Sequence, residues 1–286
     1  MSTTDAPDWD IVIRPEQAWW KPDLKEFWHY RDLLSLLVRR DLTAQYKQTV
    51  LGPAWLVVQP LLTTITYTVM FGIVARLSPP GIPPLLFYLS GIVPWTYFSG
   101  VLNKTSRTFV ANSAVLTKVY FPRLIMPVST TLSTLFSFVV QLGLLVLIIF
   151  CYTVFGDFRW TPSLEIVFLP VLVLIMSLLG LGSGILVSAM TNKYRDLGFL
   201  VGFGVQLLMF ASPVIFPMEL VAKNPTMLAV LELNPMTPVI NAMRAMFFGG
   251  TVPWAGLAYT AAFTAVMMLA GLALFQKVER SFADVV

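Results

Sequence analysis

Charge is what this sequence has least of. Only 12% of its 286 residues are Asp, Glu, Lys or Arg, against 57% hydrophobic, whereas a soluble domain carries about 25% charged residues. The water-facing shell of a soluble domain needs polar cover that such a chain cannot supply, so a soluble globule is excluded. Histidine and cysteine are reduced to one each, His29 and Cys151. A single cysteine excludes an intramolecular disulfide and reads as a packing residue. A histidine without Cys, His or carboxylate companions makes no metal site. No G-x-x-x-x-G-K-[ST] loop occurs, which excludes ATP hydrolysis by that route.

What is present is long and apolar. Six runs contain no Asp, Glu, Lys or Arg: 48–75, 77–103, 124–156, 166–192, 197–218 and 245–276. Each exceeds the ~20 residues a helix needs to cross a bilayer. Backbone groups in lipid must be paired internally, and the alternation of a membrane barrel is missing. An all-α protein with six membrane spans is expected, at about 52–75, 85–103, 124–155, 166–191, 197–217 and 253–276. An even number puts both ends on one side. That side collects 15 of the 19 Lys and Arg residues, and only Arg76, Arg159, Lys223 and Arg244 fall opposite. The positive-inside rule makes both ends cytoplasmic. The net charge of +4 then reflects topology rather than nucleic-acid binding.

Residues 1–23 are acidic at the start (Asp5, Asp8, Asp10), lack the features of a secretory signal, and read as a cytoplasmic lead. Over 24–48 the pattern turns amphipathic: Phe27, Tyr30, Leu34 and Leu37 fall opposite Lys25, Asp32, Arg39 and Thr43. Such a helix lies along the membrane surface or packs on a protein surface, two readings that do not exclude each other. Leu51-Gly52-Pro53 then turns the chain into a six-span domain, 49–276. The stretch 219–248 is apolar but broken by Asn224-Pro225 and Asn234-Pro235. Proline disfavours a continuing helix, so this stretch reads as two short re-entrant helices in the outer leaflet. Residues 277–286 form a cytoplasmic tail.

No Asp, Glu, Lys, Arg or His stands within the runs, although ion-coupled transporters bind their ion with such groups. If the chain is part of a pump, its energy comes from another polypeptide. Gly180, Gly184 and Ser188 make a small-residue stripe for close helix packing, not a nucleotide loop. Asp8-Trp9-Asp10 has the D-x-D form of a metal and sugar-nucleotide site, but no catalytic domain surrounds it. Ser129, Ser133, Ser137 and Gln141 read as structural. Two faces are more telling: Phe199, Phe203, Gln206 and Phe210 on span five, and Trp55, Gln59, Thr63 and Thr66 on span one. Aromatic planes with amides and hydroxyls suit sugar rings, and interhelical packing explains the same spacing.

Several segments together resemble a known family. They are Arg40-Asp41 through Tyr46-Lys47-Gln48 to Leu51-Gly52-Pro53-Ala54-Trp55, then Gln59-Pro60-Leu61, Leu116 to Arg123, Asn192 to Asp196, Ser212 to Pro217, and Asn234-Pro235. In this order they are similar to the permease subunits of O-antigen and other polysaccharide ABC exporters, of the ABC type-2 transporter superfamily. The resemblance covers about 28–248. It implies a homodimer with two copies of a separate cytoplasmic ATPase, which uses ATP and Mg. This chain would hold no cofactor, no metal and no catalytic residue. It implies a cargo of polysaccharide on undecaprenyl diphosphate, moved across the bacterial inner membrane, and no nucleic-acid partner.

By the same matching, 219–248 would supply gate helices and Leu51-Gly52 the loop where substrate arrives. Lys118, Tyr120, Arg123, Tyr194, Arg195 and Asp196 would face the ATPase. Candidate channel aromatics are Trp55, Tyr67, Trp95, Phe199, Phe203 and Phe210, with Gln59 and Gln206 as polar channel or packing residues. Arg39, Arg40 and Lys47 are placed to receive the lipid diphosphate, since basic residues attract anionic headgroups; lipid anchoring explains them equally. A teichoic-acid or capsule exporter, a membrane glycosyltransferase and a small-molecule efflux permease are the rival expectations.

Overall fold

The computed structural model describes residues 28–112, 121–191 and 196–283, with no strand among them. Asp8-Trp9-Asp10, Phe27, Lys118, Tyr120, Tyr194 and Arg195 lie outside those residues. The α-helices are α1 (Arg31–Tyr46), α2 (Trp55–Tyr67), α3 (Pro84–Ala111), α4 (Ile125–Phe155), α5 (Leu169–Thr191), α6 (Leu197–Phe210), α7 (Met218–Val221), α8 (Pro225–Leu233), α9 (Met236–Phe248) and α10 (Trp254–Ala283).

Five helical segments are long and apolar enough to cross a membrane: Gly52–Val74, Pro84–Phe109, Ile125–Phe155, Leu164–Thr191 and Trp254–Phe275. They coincide with five of the six uncharged runs. The first joins a 3-10 turn (Gly52–Ala54), α2 and a π-helical turn (Thr68–Val74). Gly52 takes φ 53° at its start, the left-handed backbone that glycine adopts without strain. α3 continues past the end expected at 103 to Ala111, so Lys104 and Arg107 stand on a helix rather than in a loop.

The run at 197–217 differs from its expectation. α6 stops at Phe210 after 14 residues, about 21 Å, short of the ~30 Å hydrocarbon core. Pro213 and Pro217 cannot donate to a helix, and the chain turns through 211–217 with Ser212, Pro213, Val214 and Ile215 buried. Residues 218–248 then form three helices rather than two. The breaks fall at the expected Asn-Pro pairs. Asn224 Oδ1 accepts from the backbone of Thr226 and Met227, and Asn234 Oδ1 accepts from Met236 N at 3.0 Å. Asn224 is the N-cap of α8, the position that favours Asn, and Asn234 makes the equivalent side-chain turn one residue before the Pro235 cap of α9.

The core centres on α3, whose spanning residues are 78% buried, whereas only 11% of those in Gly52–Val74 are buried. α5 lies between α3 and α10 because glycine lets it approach both. A Cβ added at Gly180 would lie 2.9 Å from Val101 of α3, one at Gly184 would lie 2.6 Å from Thr105, and one at Gly182 would lie 2.9 Å from Met268 of α10. The glycine run is thus a packing device, as its spacing indicated. At one end of the bundle, Thr191 Oγ1 donates to Ser106 O and Phe109 stacks on Phe275 at 4.9 Å. There α1 lays Tyr30, Leu33, Leu34 and Leu37 against Phe121, Ile125 and Met126 at the start of α4. Its apolar stripe therefore meets a protein surface of its own chain.

At the other end, Trp160 Nε1 donates to Phe247 O at 2.8 Å, and Arg244 is buried. Arg244 Nη1 donates to Pro213 O, and Nη2 to Val214 O at 3.1 Å and Phe87 O at 3.2 Å. Its Cζ lies 3.7 Å from the Phe87 ring centroid, within cation–π range. A Cβ at Gly91 would meet Nη2 at 2.7 Å, so α3 carries glycine where the guanidinium passes.

Gly184→Val should destabilise the chain by about 1–3 kcal/mol through overpacking. Gly143→Ala, where nothing lies within 4 Å of the added Cβ, should be neutral or slightly stabilising. Thermal unfolding of both purified variants in detergent measures the contrast.

Candidate translocation surface and membrane cleft

The expected channel aromatics separate into three environments. Phe199, Phe203 and Phe210 project from one face of α6, with exposures of 80%, 60% and 51%, and Gln206 is exposed beside them. Trp55 is 42% exposed at the start of α2, followed by exposed Gln59. Tyr67 is half-buried, its hydroxyl 3.8 Å from Met209 Sδ of α6 and its ring edge-on to Phe71; it ties α2 to α6. Trp95 is only 5% exposed, inside the main core, with its ring 5.7 Å from that of Phe98. The structure therefore places Trp95 among packing residues and does not bring it to the open faces of α2 and α6.

The basic residues also divide. Arg39 and Lys47 are exposed. Arg40 is engaged: Nη2 meets Asp41 Oδ1 at 2.9 Å and donates to Asn112 Oδ1 at 3.2 Å, so it fastens α1 to the end of α3. Arg123 is half-buried just before α4, and Asp196 is exposed, its carbonyl accepting from Phe199 N and Leu200 N at the start of α6. Leu51 is exposed and Gly52 half-buried, in the turn between α1 and α2.

A second arrangement gathers residues that were read separately. Three stripes at helical spacing, on α2, α3 and α4, converge with an adjacent pair on α1 around a cleft of about 210 Å³. Gln45 and Tyr46 come from α1; Trp55, Gln59 and Thr63 from α2; Thr96, Gly100 and Lys104 from α3; Thr134, Ser137 and Gln141 from α4. The α4 residues split the serine and glutamine set that read as structural. Ser129 and Ser133 are buried and donate to carbonyls of their own helix, Met126 O and Thr130 O. Among the described residues Gln141 Oε1 has no hydrogen-bond partner, and the Ser137 and Tyr46 hydroxyls have none beyond each other. Burial pushes the Tyr46 phenol above its usual range, the Ser137 hydroxyl opposing, so it remains a neutral donor.

Lys104 Nζ reaches only Gln45 Oε1, at 3.5 Å, a long and weak hydrogen bond. Among the described residues no carboxylate stands within 4.0 Å of it, and nearby Asp41 is taken by Arg40. Sequence reasoning passed over Lys104, Tyr46 and Thr96. Their signal was present: Thr96, Gly100 and Lys104 share one face at spacing four, and Thr134, Ser137 and Gln141 share another in an otherwise apolar run.

Comparison with known proteins locates the chain among transporters. Residues 32–248 match the family of ABC-2 type transporters. The chain is 30% identical to the O-antigen export system permease protein RfbA of Myxococcus xanthus, over 91% of its own length and 98% of that protein's. It is 26% identical to the protein of the same name from Klebsiella pneumoniae, over 89% and 95%. It is 23% identical to the polysialic acid transport protein KpsM of Escherichia coli, over 87% and 94%.

Burial predicts opposite responses from two of the candidate aromatics. Trp95→Ala should cost about 3–5 kcal/mol, as for a large core aromatic, whereas Phe203→Ala should stay within about 0.5 kcal/mol. Denaturant titration of both variants in micelles provides the comparison.

Proposed function

Because the chain belongs to the ABC-2 type transporter family, we propose that it is the channel-forming permease subunit of an ATP-driven polysaccharide exporter. The cargo is polysaccharide of the O-antigen kind, carried on undecaprenyl diphosphate across the bacterial inner membrane to the periplasm. The names of two relatives support this cargo, since both are O-antigen export permeases. The polysialic acid transport relative favours a second reading, in which the cargo is an acidic capsular polymer.

The observation that carries the reading is the exposure of Gln59 and Gln206 beside aromatic rings on α2 and α6. An amide facing hydrocarbon has no hydrogen-bond partner, which costs several kcal/mol. Such faces need water, sugar hydroxyls or another polypeptide against them. A homodimer that closes the α2 and α6 faces around a lumen supplies all three. Trp55, Phe199, Phe203 and Phe210 then offer weak, repeated stacking surfaces along which a glycan slides, with Tyr67 behind them. Trp95 takes no part in this lumen.

In this arrangement the sixth crossing is α6 completed by the buried turn 211–217. Both ends lie in the cytoplasm, in keeping with the 15 of 19 basic residues on that side, and α7 to α9 form the outer gate. Two copies of a separate ATPase, which consumes ATP with Mg, dock near Arg123 and Asp196, and Lys118, Tyr120, Tyr194 and Arg195 belong to the same docking surface. Arg39 and Lys47, beside the Leu51-Gly52 turn, attract the lipid diphosphate; Arg40 holds α1 in place.

The expected outcome for Phe203→Ala is a several-fold fall in surface polysaccharide, with an ATPase still recovered in equal amount when the chain is purified from its native membrane. Undiminished polysaccharide would overturn the lumen assignment. Loss of the gene without loss of surface polysaccharide would overturn the exporter reading itself.

A further inference from the structure

The cleft lies within one chain where the first span meets α1, α3 and α4; no α6 residue lines it, and Trp55 and Gln59 of α2 border both the cleft and the open α2 face. Its depth follows from helix geometry. Lys104 stands about 30 Å along α3 from its first residue, the thickness of the hydrocarbon core, so it sits at the membrane surface. Thr96 lies about 12 Å deeper. The cleft therefore leads from the charged surface toward the middle of the bilayer, and beside apolar Leu56, Pro60 and Ile92 it still presents amide and hydroxyl groups at a depth where lipid would favour none.

Its size and lining restrict what fits. A cavity of about 150 Å³ holds benzene and drug-sized pockets begin near 300 Å³, so a cleft of about 210 Å³ has room for one six-membered ring with substituents. Among the described residues, Gln141, 6% exposed, has Oε1 unpartnered, and the hydroxyls of Ser137 and Tyr46 have no partner beyond each other. Buried polar atoms are hydrogen-bonded as a rule, so these three call for a ligand rich in donors and acceptors. At the mouth, the Lys104 ammonium has no carboxylate in contact among the described residues, and the Trp55 indole offers a flat apolar wall.

We propose that this cleft binds a single phosphorylated sugar ring, its hydroxyls at Gln141, Ser137 and Tyr46 and its phosphate at Lys104. Resting on the exporter reading, this makes the cleft a recognition site for the first sugar of the lipid-linked glycan, used before the polymer enters the lumen. Ring and phosphate occur together both in that lipid and in soluble sugar phosphates. The shared chemistry defines the site, and the source is a matter for measurement.

The test uses the full chain in nanodiscs with three probes: a short polyprenyl diphosphate carrying N-acetylglucosamine, the same lipid without the sugar, and glucose 1-phosphate. Binding of the sugar-bearing lipid should weaken about tenfold in Gln141→Leu, a variant that removes the unpartnered oxygen without loss of volume. Lys104→Gln should weaken both lipids alike, while Gln141→Leu leaves the sugar-free lipid unchanged. Glucose 1-phosphate competing at similar concentration would assign the site to soluble sugar phosphates; its failure to compete would assign it to the lipid-linked form.

The proposal is overturned if both variants bind every probe as wild type does, or if the sugar adds nothing to the affinity of the lipid. Wild-type unfolding midpoints in both variants exclude misfolding as the cause of weaker binding. Surface polysaccharide measured in the same strains separates the two readings. Intact export with unaltered binding in the variants removes only the cleft assignment, and export that is indifferent to the whole gene removes the exporter.

Discussion

One buried guanidinium decides the shape of the end of the bundle that holds the turn 211–217. When α6 ends at Phe210, the backbone of 211–217 leaves the helix at a depth where water is scarce, and its carbonyls need donors from the protein. Two side chains supply them. Asn234 Nδ2 donates to Ala211 O at 2.8 Å, and Arg244 donates to Pro213 O and Val214 O while also reaching Phe87 O on α3. Hydrogen bonds from a charged donor each contribute about 1.5–3 kcal/mol. An arginine keeps its proton even when buried and presents several donors in one plane, which is why this residue type can fasten α3, the turn and α9 at once. The Phe87 ring covers one face of the charge, and Gly91 leaves room for it.

Away from that anchor the molecule divides into a dense part and a loose one. α3, α5 and α10 are drawn together by glycines that admit a neighbouring helix backbone. The first span has little burial, and its C-terminal end is wound as a π-turn, a form often found at functional positions. It meets α6 through Tyr67 and Met209, and a polar cleft lies beside it. A fixed frame beside a weakly held helix is the arrangement expected of a wall that yields to a passing polymer. The same division explains why a tryptophan in α3 is a packing residue while a phenylalanine in α6 is open to contact.

Much of this was legible in the sequence because lipid imposes simple rules. Uncharged runs longer than 20 residues located five spans to within a few residues. Asn-Pro pairs marked the breaks between α7, α8 and α9, and the glycine spacing of α5 foretold close packing. Three things were not legible. The end of α6 depends on tertiary hydrogen bonds to 211–217, which leave no trace in local hydropathy. Arg244 reads as one more basic residue on the sparsely charged side until its partners are known. The cleft exists only because stripes on three helices converge with a pair on a fourth, and each stripe alone, Ser137 and Gln141 included, has the spacing of ordinary helix packing.

The central claim is that Arg244 holds the turn 211–217, α9 and the start of α3 as one unit. Amide hydrogen exchange on the full chain in nanodiscs, wild type against Arg244→Met, tests it most directly, because local opening is read segment by segment. The claim predicts that exchange accelerates together across 211–217, 236–248 and the first turns of α3, while the α5–α10 contact near Gly182 keeps its protection. Acceleration confined to the residues flanking position 244, with 211–217 protected as before, would contradict it.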